Sequence, residues 1–163
     1  MRFGFSYIGL IWLIMTFVPN IIWTKNQPKD YEKYVVNEKK VLLVLERVGQ
    51  FIVTPVALLF SDFNYKGWNI WIVVLLISFS CMVLYEIYWI RYFMSEKTMQ
   101  DFYRGIFGIP VAGATLPVVA FFLLGIYGGN FLMILGSVIL GIGHIGIHLQ
   151  HRKEVYGPDR ILR

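Results

Sequence analysis

WNIWIVVLLISFSCMVLYEIYWIRY (residues 68–92) is a run of 25 residues with only two charged side chains, Glu86 and Arg91. A helix needs roughly 20 apolar residues to cross a bilayer, so the run reads as a membrane span. Four others accompany it, at about 3–23, 41–61, 106–127 and 130–150. Together they occupy about two thirds of the 163 residues, and the connections between them leave no room for a soluble domain. The expected fold is all-α: a single transmembrane domain, 1–163, built as a bundle of five helices. The first run has the position of a signal peptide. It is too long for the apolar part of one, has no small-x-small cleavage site and ends Val18-Pro19-Asn20-Ile21-Ile22-Trp23. It reads as an uncleaved first helix.

Composition agrees. The chain is 57% hydrophobic and 17% aromatic, with 15% charged residues, where a soluble domain carries about 25%. The net charge of +5 follows from the positive-inside bias and anionic headgroups rather than from nucleic acid. The single cysteine, Cys81, lies mid-span and excludes an intramolecular disulfide.

Charge sets the orientation. Lys25, Lys29, Lys33, Lys39, Lys40 and Arg47 surround the first connection, and Arg91, Lys97 and Arg104 the third. Arg152, Lys153, Arg160 and Arg163 follow the last span, whereas the opposite side has only Arg2 and Lys66. The N-terminus is expected outside and the C-terminus in the cytoplasm. Trp23 and Trp89 fit an inner aromatic belt, Trp68 and Trp71 an outer one. The short outer connections, 61–67 and 128–129, predict that spans two and three, and four and five, form antiparallel hairpins.

The polar residues within the spans carry the functional signal, because charge near a helix centre costs roughly 2.5–3.5 kcal/mol on insertion scales. Asn20, Glu46, Gln50, Glu86, His144 and His148 each fall within about two turns of an expected cytoplasmic end, roughly 10 Å. They predict one polar layer, with Glu46, Glu86, His144 and His148 at its centre and Asn20 and Gln50 as hydrogen-bond partners. The competing reading is that these groups are interfacial and only fix helix packing. Glu86 is the hardest to treat so, having no cation three or four residues further on.

The only histidines are His144, His148 and His151. At about 100° per residue they span roughly a 60° arc of one helix face. His-x3-His also places two imidazoles for a divalent metal, so His144, His148 and His151 are candidate ligands. Proton transfer, ligand hydrogen bonding and a purely structural role remain open beside it. In the fourth span, Pro110 and Pro117 predict a bent helix, and Gly108, Ala112 and Gly113 a close packing surface for the glycines of the fifth. The 24–40 connection reads as an amphipathic surface segment or a lid over the polar layer.

Phe-Val-Pro-Asn-Ile-Ile-Trp-Thr-Lys-Asn (17–26), Tyr-Glu-Ile-Tyr-Trp-Ile-Arg-Tyr-Phe (85–93) and Gly-His-Ile-Gly-Ile-His-Leu-Gln-His (143–151) resemble an uncharacterised family of small polytopic membrane proteins from Gram-positive bacteria. The resemblance covers most of the chain. It implies a bacterial plasma-membrane location and nothing about mechanism.

The functional expectation is a membrane protein with a Glu/His pocket that takes a small or amphiphilic ligand, a proton or a metal, as a membrane-embedded enzyme or a transporter. Five helices are few for a transporter unless the chain forms homo-oligomers. The alternative is a non-catalytic interaction or structural protein. The expected partners are the lipid bilayer and a lipid or other amphiphile, not nucleic acid.

Overall fold

The computed structural model describes residues 1–157; Arg160 and Arg163 lie outside them. Among the described residues there are seven α-helices: α1 (Tyr7–Thr24), α2 (Glu32–Val35), α3 (Lys40–Leu59), α4 (Ile72–Phe93), α5 (Met99–Tyr103), α6 (Ala112–Gly128) and α7 (Phe131–Tyr156). Four of them, α1, α3, α4 and α7, are long and apolar enough to cross a membrane. The fifth expected span is shorter. Phe107, Gly108 and Val111 adopt left-handed backbone angles, so 106–111 is a turn and α6 begins only at Ala112. Pro110 therefore precedes the helix, and only Pro117 lies inside it. Other boundaries shift less, except that α7 runs six residues beyond 150.

Helix starts follow from local chemistry. Ser6 accepts a hydrogen bond from the Gly9 amide (2.9 Å) at the start of α1, and Asn130 accepts one from Met133 (3.1 Å) at the start of α7. Each satisfies an amide that the helix itself leaves unpaired. Between α6 and α7, Gly129 turns with φ +63°, a conformation that glycine adopts without strain.

Between membrane helices, packing and hydrogen bonds replace the hydrophobic drive. α3 packs on α7, α4 on α6 and α6 on α7, while α1 rests more lightly on α3 and α4. Spans two and three are therefore not a packed hairpin. The chain leaves α3 through the short 3-10 turn Ser61–Phe63, which packs beneath the end of α6, with Phe63 against Gly128. The glycines of α7 also differ from expectation. Gly136, Gly143 and Gly146 face Ile52, Glu46 and Leu42 of α3, and only Gly141 faces α6, at Val118. Buried polar links tie three helices together: the Trp12 indole donates to Ser78 (3.0 Å), which donates to the Ala120 carbonyl (2.8 Å).

The bundle has two distinct ends. At one, Asn64, Tyr65 and Lys66 meet Tyr7 and Tyr127, and the Arg2 amide donates to Asp62 (2.7 Å). At the other, the 25–39 and 94–105 segments join the end of α7. Lys97 donates to Asn26 (2.7 Å), Gln150 to the Asn37 carbonyl (2.6 Å) and Tyr156 to the Gln100 carbonyl (2.9 Å). Every described Lys and Arg except Arg2 and Lys66 belongs to this second end. Trp68 and Trp71 are exposed near the first, whereas Trp89 is buried and Trp23 turns inward, so these two form no belt.

Candidate functional site

A cavity of about 490 Å³ lies inside the bundle, towards the second end. The volume is in the range of small-molecule sites, roughly 300–1,000 Å³. All five long helices supply its wall, and Tyr31 and Phe102 cap it from the connecting segments. Most of the lining is apolar or aromatic. Among the described residues that line it there is no Lys or Arg.

The cavity exists because α1 and α3 diverge. Near the first end they touch, Gly9 lying directly against the Ala57 carbonyl, and Leu13 and Val53 are buried further along. Beyond that, Phe17, Asn20 and Gln50 line the cavity and are nevertheless exposed. The cavity therefore opens sideways, between α1 and α3.

On the opposite wall α3 and α7 approach closely at Gly143. Gly143 meets the Glu46 backbone, where no other side chain fits. This approach lets Glu46 Oε1 reach His144 Nδ1, at 2.5 Å. A hydrogen bond between a carboxyl group and an imidazole is of the stronger kind when either partner is ionised.

Five of the six expected polar residues line the cavity: Asn20, Glu46, Gln50, His144 and His148. Asn20 donates to the Thr16 carbonyl (2.7 Å) and to Tyr85 (2.9 Å). Glu86 does not join them. Its neighbours Tyr85 and Trp89 face the cavity, and one residue's rotation carries Glu86 off that face. Its Oε1 is buried without a partner. Arg91 does not pair with it either, because its guanidinium donates to the Arg104 and Gly105 carbonyls (2.6 and 3.0 Å).

The three histidines are near one another but do not assemble the expected metal centre. Among the described residues no group of three or more His, Cys, Asp or Glu side chains is placed to hold a metal ion. The Nδ1 nitrogen of each ring has another partner. His148 Nδ1 and His151 Nδ1 both approach the Tyr103 hydroxyl, at 3.2 and 3.0 Å. His151 is fully buried, and its Nε2 lies 3.2 Å from Glu38 Oε1.

Tyr103, Tyr31, Tyr85 and Glu38 escaped the sequence reading. Tyr85 carried a signal, since Tyr85, Trp89 and Tyr92 recur on one face of a helix. Tyr103 carried none, because a five-residue helix in a connection has no apolar period. α5 is fixed by a capping box instead: Thr98 accepts from the Asp101 amide (3.1 Å), and Asp101 accepts from the Thr98 amide (3.1 Å) and hydroxyl (2.7 Å). These bonds hold the Asp101 carboxyl below its usual range. Burial raises the Tyr103 and Tyr31 hydroxyls, Tyr31 to about 12 with help from Glu38 and Glu46, so both stay protonated. Burial, then the Glu46 charge, also raises Glu38.

No protein-family model, curated protein or solved structure matches the chain.

Proposed function

We propose that this chain is a multi-pass membrane protein that binds a small amphiphile, with an apolar tail and an uncharged or cationic polar head, in the cavity between α1 and α3. The observation that carries this reading is the wall of the cavity: mostly apolar and aromatic, with a Glu46–His144 pair and no Lys or Arg among its described lining residues. A phosphate head would have no Lys or Arg to meet there, whereas hydroxyl and amine groups would find Glu46, Gln50, Asn20 and His148. The gap between α1 and α3 gives such a molecule entry from the lipid. Glu46 and His144 would then orient the head, and in an enzyme would serve as base and acid.

The topology that fits is five crossings with the second end in the cytoplasm. α6 is about 25 Å long at 1.5 Å per residue, and it joins a connection at each end of the bundle. The lysines and arginines gathered at the second end favour the inner face of a bacterial plasma membrane.

The test is to purify the protein in mild detergent and identify co-purifying small molecules by mass spectrometry, alongside Thr54→Trp. Thr54 lines the cavity away from the Glu46–His144 pair. A species bound to the wild type and lost from the variant is the expected result. The same species at the same amount in both, or none in either, would sink the reading. A second reading, that Glu46 and His144 only pin α3 to α7, is favoured by the close approach at Gly143.

A further inference from the structure

Six side chains run from the inner wall of the cavity to the second end of the bundle, with one tyrosine hydroxyl bridging two of the imidazoles. Glu46 contacts His144 Nδ1 at 2.5 Å. The His144 and His148 rings sit edge to face, with centroids 4.6 Å apart. His148 Nδ1 reaches the Tyr103 hydroxyl at 3.2 Å, and the same hydroxyl reaches His151 Nδ1 at 3.0 Å. His151 Nε2 lies 3.2 Å from Glu38 Oε1. Tyr103 is 2% exposed and His151 fully buried, whereas the Glu38 side chain keeps a tenth of its surface, between exposed Asn37 and Lys39.

We propose that Glu38, His151, Tyr103, His148, His144 and Glu46 form a proton relay that connects the Glu46–His144 pair on the cavity wall with the aqueous side of the second end. It shares that pair with the ligand reading but stands on its own contacts.

The chemistry of Tyr103 is the centre of the argument. A hydroxyl has one proton to give and lone pairs to receive another. Both flanking nitrogens are Nδ1, so the hydroxyl is best satisfied when one ring accepts its proton and the other donates an N–H. It therefore imposes opposite tautomers on His148 and His151, which is the arrangement that passes a proton on. A proton taken up by Glu38 moves to His151 Nε2. His151 releases its Nδ1 proton to the Tyr103 oxygen, and Tyr103 gives its own proton to His148 Nδ1. His148 passes one proton across the ring–ring gap to His144, which delivers its Nδ1 proton to Glu46. One proton has then moved inward, every intermediate group has lost one and gained one, and ring rotations restore the tautomers. Two links need a movement: Glu38 Oε1 lies 3.2 Å from His151 Nε2 but outside hydrogen-bond alignment, so its carboxyl must turn onto the ring nitrogen, and the ring–ring gap is spanned by a ring rotation or one bridging water.

The surroundings keep other proton donors away. The Tyr31 and Tyr34 rings close over His151 at 5.9 and 6.2 Å, and Phe102 lies beside His148 at 5.9 Å. Glu154, on α7 itself, is the ionisable group whose charge is felt at His151, and the Tyr34 backbone lies against the same ring. Metal ligation by the three histidines would leave the shared Tyr103 hydroxyl unexplained.

The experiment uses full-length, ligand-free protein with 15N-labelled histidine in lipid nanodiscs, so that it does not depend on an identified ligand. Exchange of ring N–H protons with D2O is followed by NMR at each histidine. In Tyr103→Phe, exchange at His148 and His144 should slow by about tenfold, the scale of one lost hydrogen-bonded link, while His151, on the outer side of the cut, should not slow. Unchanged exchange at His148 and His144 would overturn the relay, because protons would then reach them through the cavity. Faster exchange at all three would equally overturn it, as a loosening of the bundle. If Tyr103→Phe does not fold, Glu38→Gln takes its place: slower exchange at all three histidines supports the relay, and unchanged exchange ends it. Failure of the amphiphile reading would leave this result untouched.

Discussion

Gly143 of α7 lies directly against the Glu46 backbone of α3, so that a methyl group added at Gly143 would occupy the space of the Glu46 amide. The hydrogen bond between Glu46 and His144 depends on this closeness as much as on the two side chains. A glycine is used here for contact and not for turning, since residue 143 is helical. Gly143→Ala should therefore push α3 away from α7. Overpacking costs of about 1–3 kcal/mol are usual, and the His144 ring should lose its short contact. A lowered melting temperature together with a changed His144 15N resonance is the expected outcome. A wild-type resonance in the alanine variant would show that the helices can yield without moving the pair.

Glu46→Gln and Glu46→Leu separate binding from pinning. Glutamine keeps a hydrogen bond to His144 but removes the charge and the exchangeable proton. Leucine leaves the imidazole without its partner, a loss of roughly 1–3 kcal/mol for a buried group. If the pair serves a ligand, Glu46→Gln should release bound species at nearly unchanged melting temperature. Full retention in Glu46→Gln, with melting lowered only in Glu46→Leu, would assign the pair to packing alone.

The sequence could be read for depth but not for neighbours. A helix rises by a constant step, so the shared level of Asn20, Glu46, Gln50, His144 and His148 was visible as distance from the ends of the apolar runs. Which helices touch was not visible, because glycine stripes fit any partner; those of α7 meet α3 rather than α6. Glu86 lay at the right depth, but the rotation of α4 turns Tyr85 and Trp89 to the cavity in its place. Tyr103 and Glu38 sit in connections, where no period announces a buried side chain. The late start of α6 comes from left-handed angles at Phe107 and Val111, residue types that rarely adopt them.

The arrangement of the two ends predicts a topology. Cysteines introduced at Asn64 and at Lys97, each in Cys81→Ser background, should react with a membrane-impermeant thiol reagent from opposite sides of intact cells. Asn64 is at the Arg2–Asp62 end, and Lys97 is bonded to Asn26 at the other. Reaction of both from outside would exclude an odd number of crossings between residues 64 and 97 and with it the five-span arrangement.

Glu86 should be dispensable for binding. Its Oε1 is buried with no partner, and its side chain is not part of the cavity wall. An unmatched buried oxygen costs free energy that a leucine of similar size does not, on the order of 1 kcal/mol or more. Glu86→Leu should thus melt at the wild-type temperature or above it and keep every species that co-purifies with the wild type. A strongly destabilised Glu86→Leu protein would mean that Glu86 has a partner that this arrangement of helices does not provide.

The Thr98–Asp101 capping box ties the stability of α5, and through it the place of Tyr103, to pH. The folded carboxyl is held below its ordinary range by the Thr98 hydroxyl and amide. Folding therefore favours the ionised form, so the contribution is complete above about pH 4, the unfolded carboxyl's midpoint, and is lost as pH falls through the lower folded value. Asp101→Asn should be less stable than the wild type at pH 6, and the difference should shrink towards pH 3. Thr98→Ala, which removes the cap itself, should cost about 0.5–2 kcal/mol at neutral pH. Melting curves of the three proteins across that range check the sign. A difference between wild type and Asp101→Asn that grows on acidification would show that the carboxyl is not the anionic half of this cap.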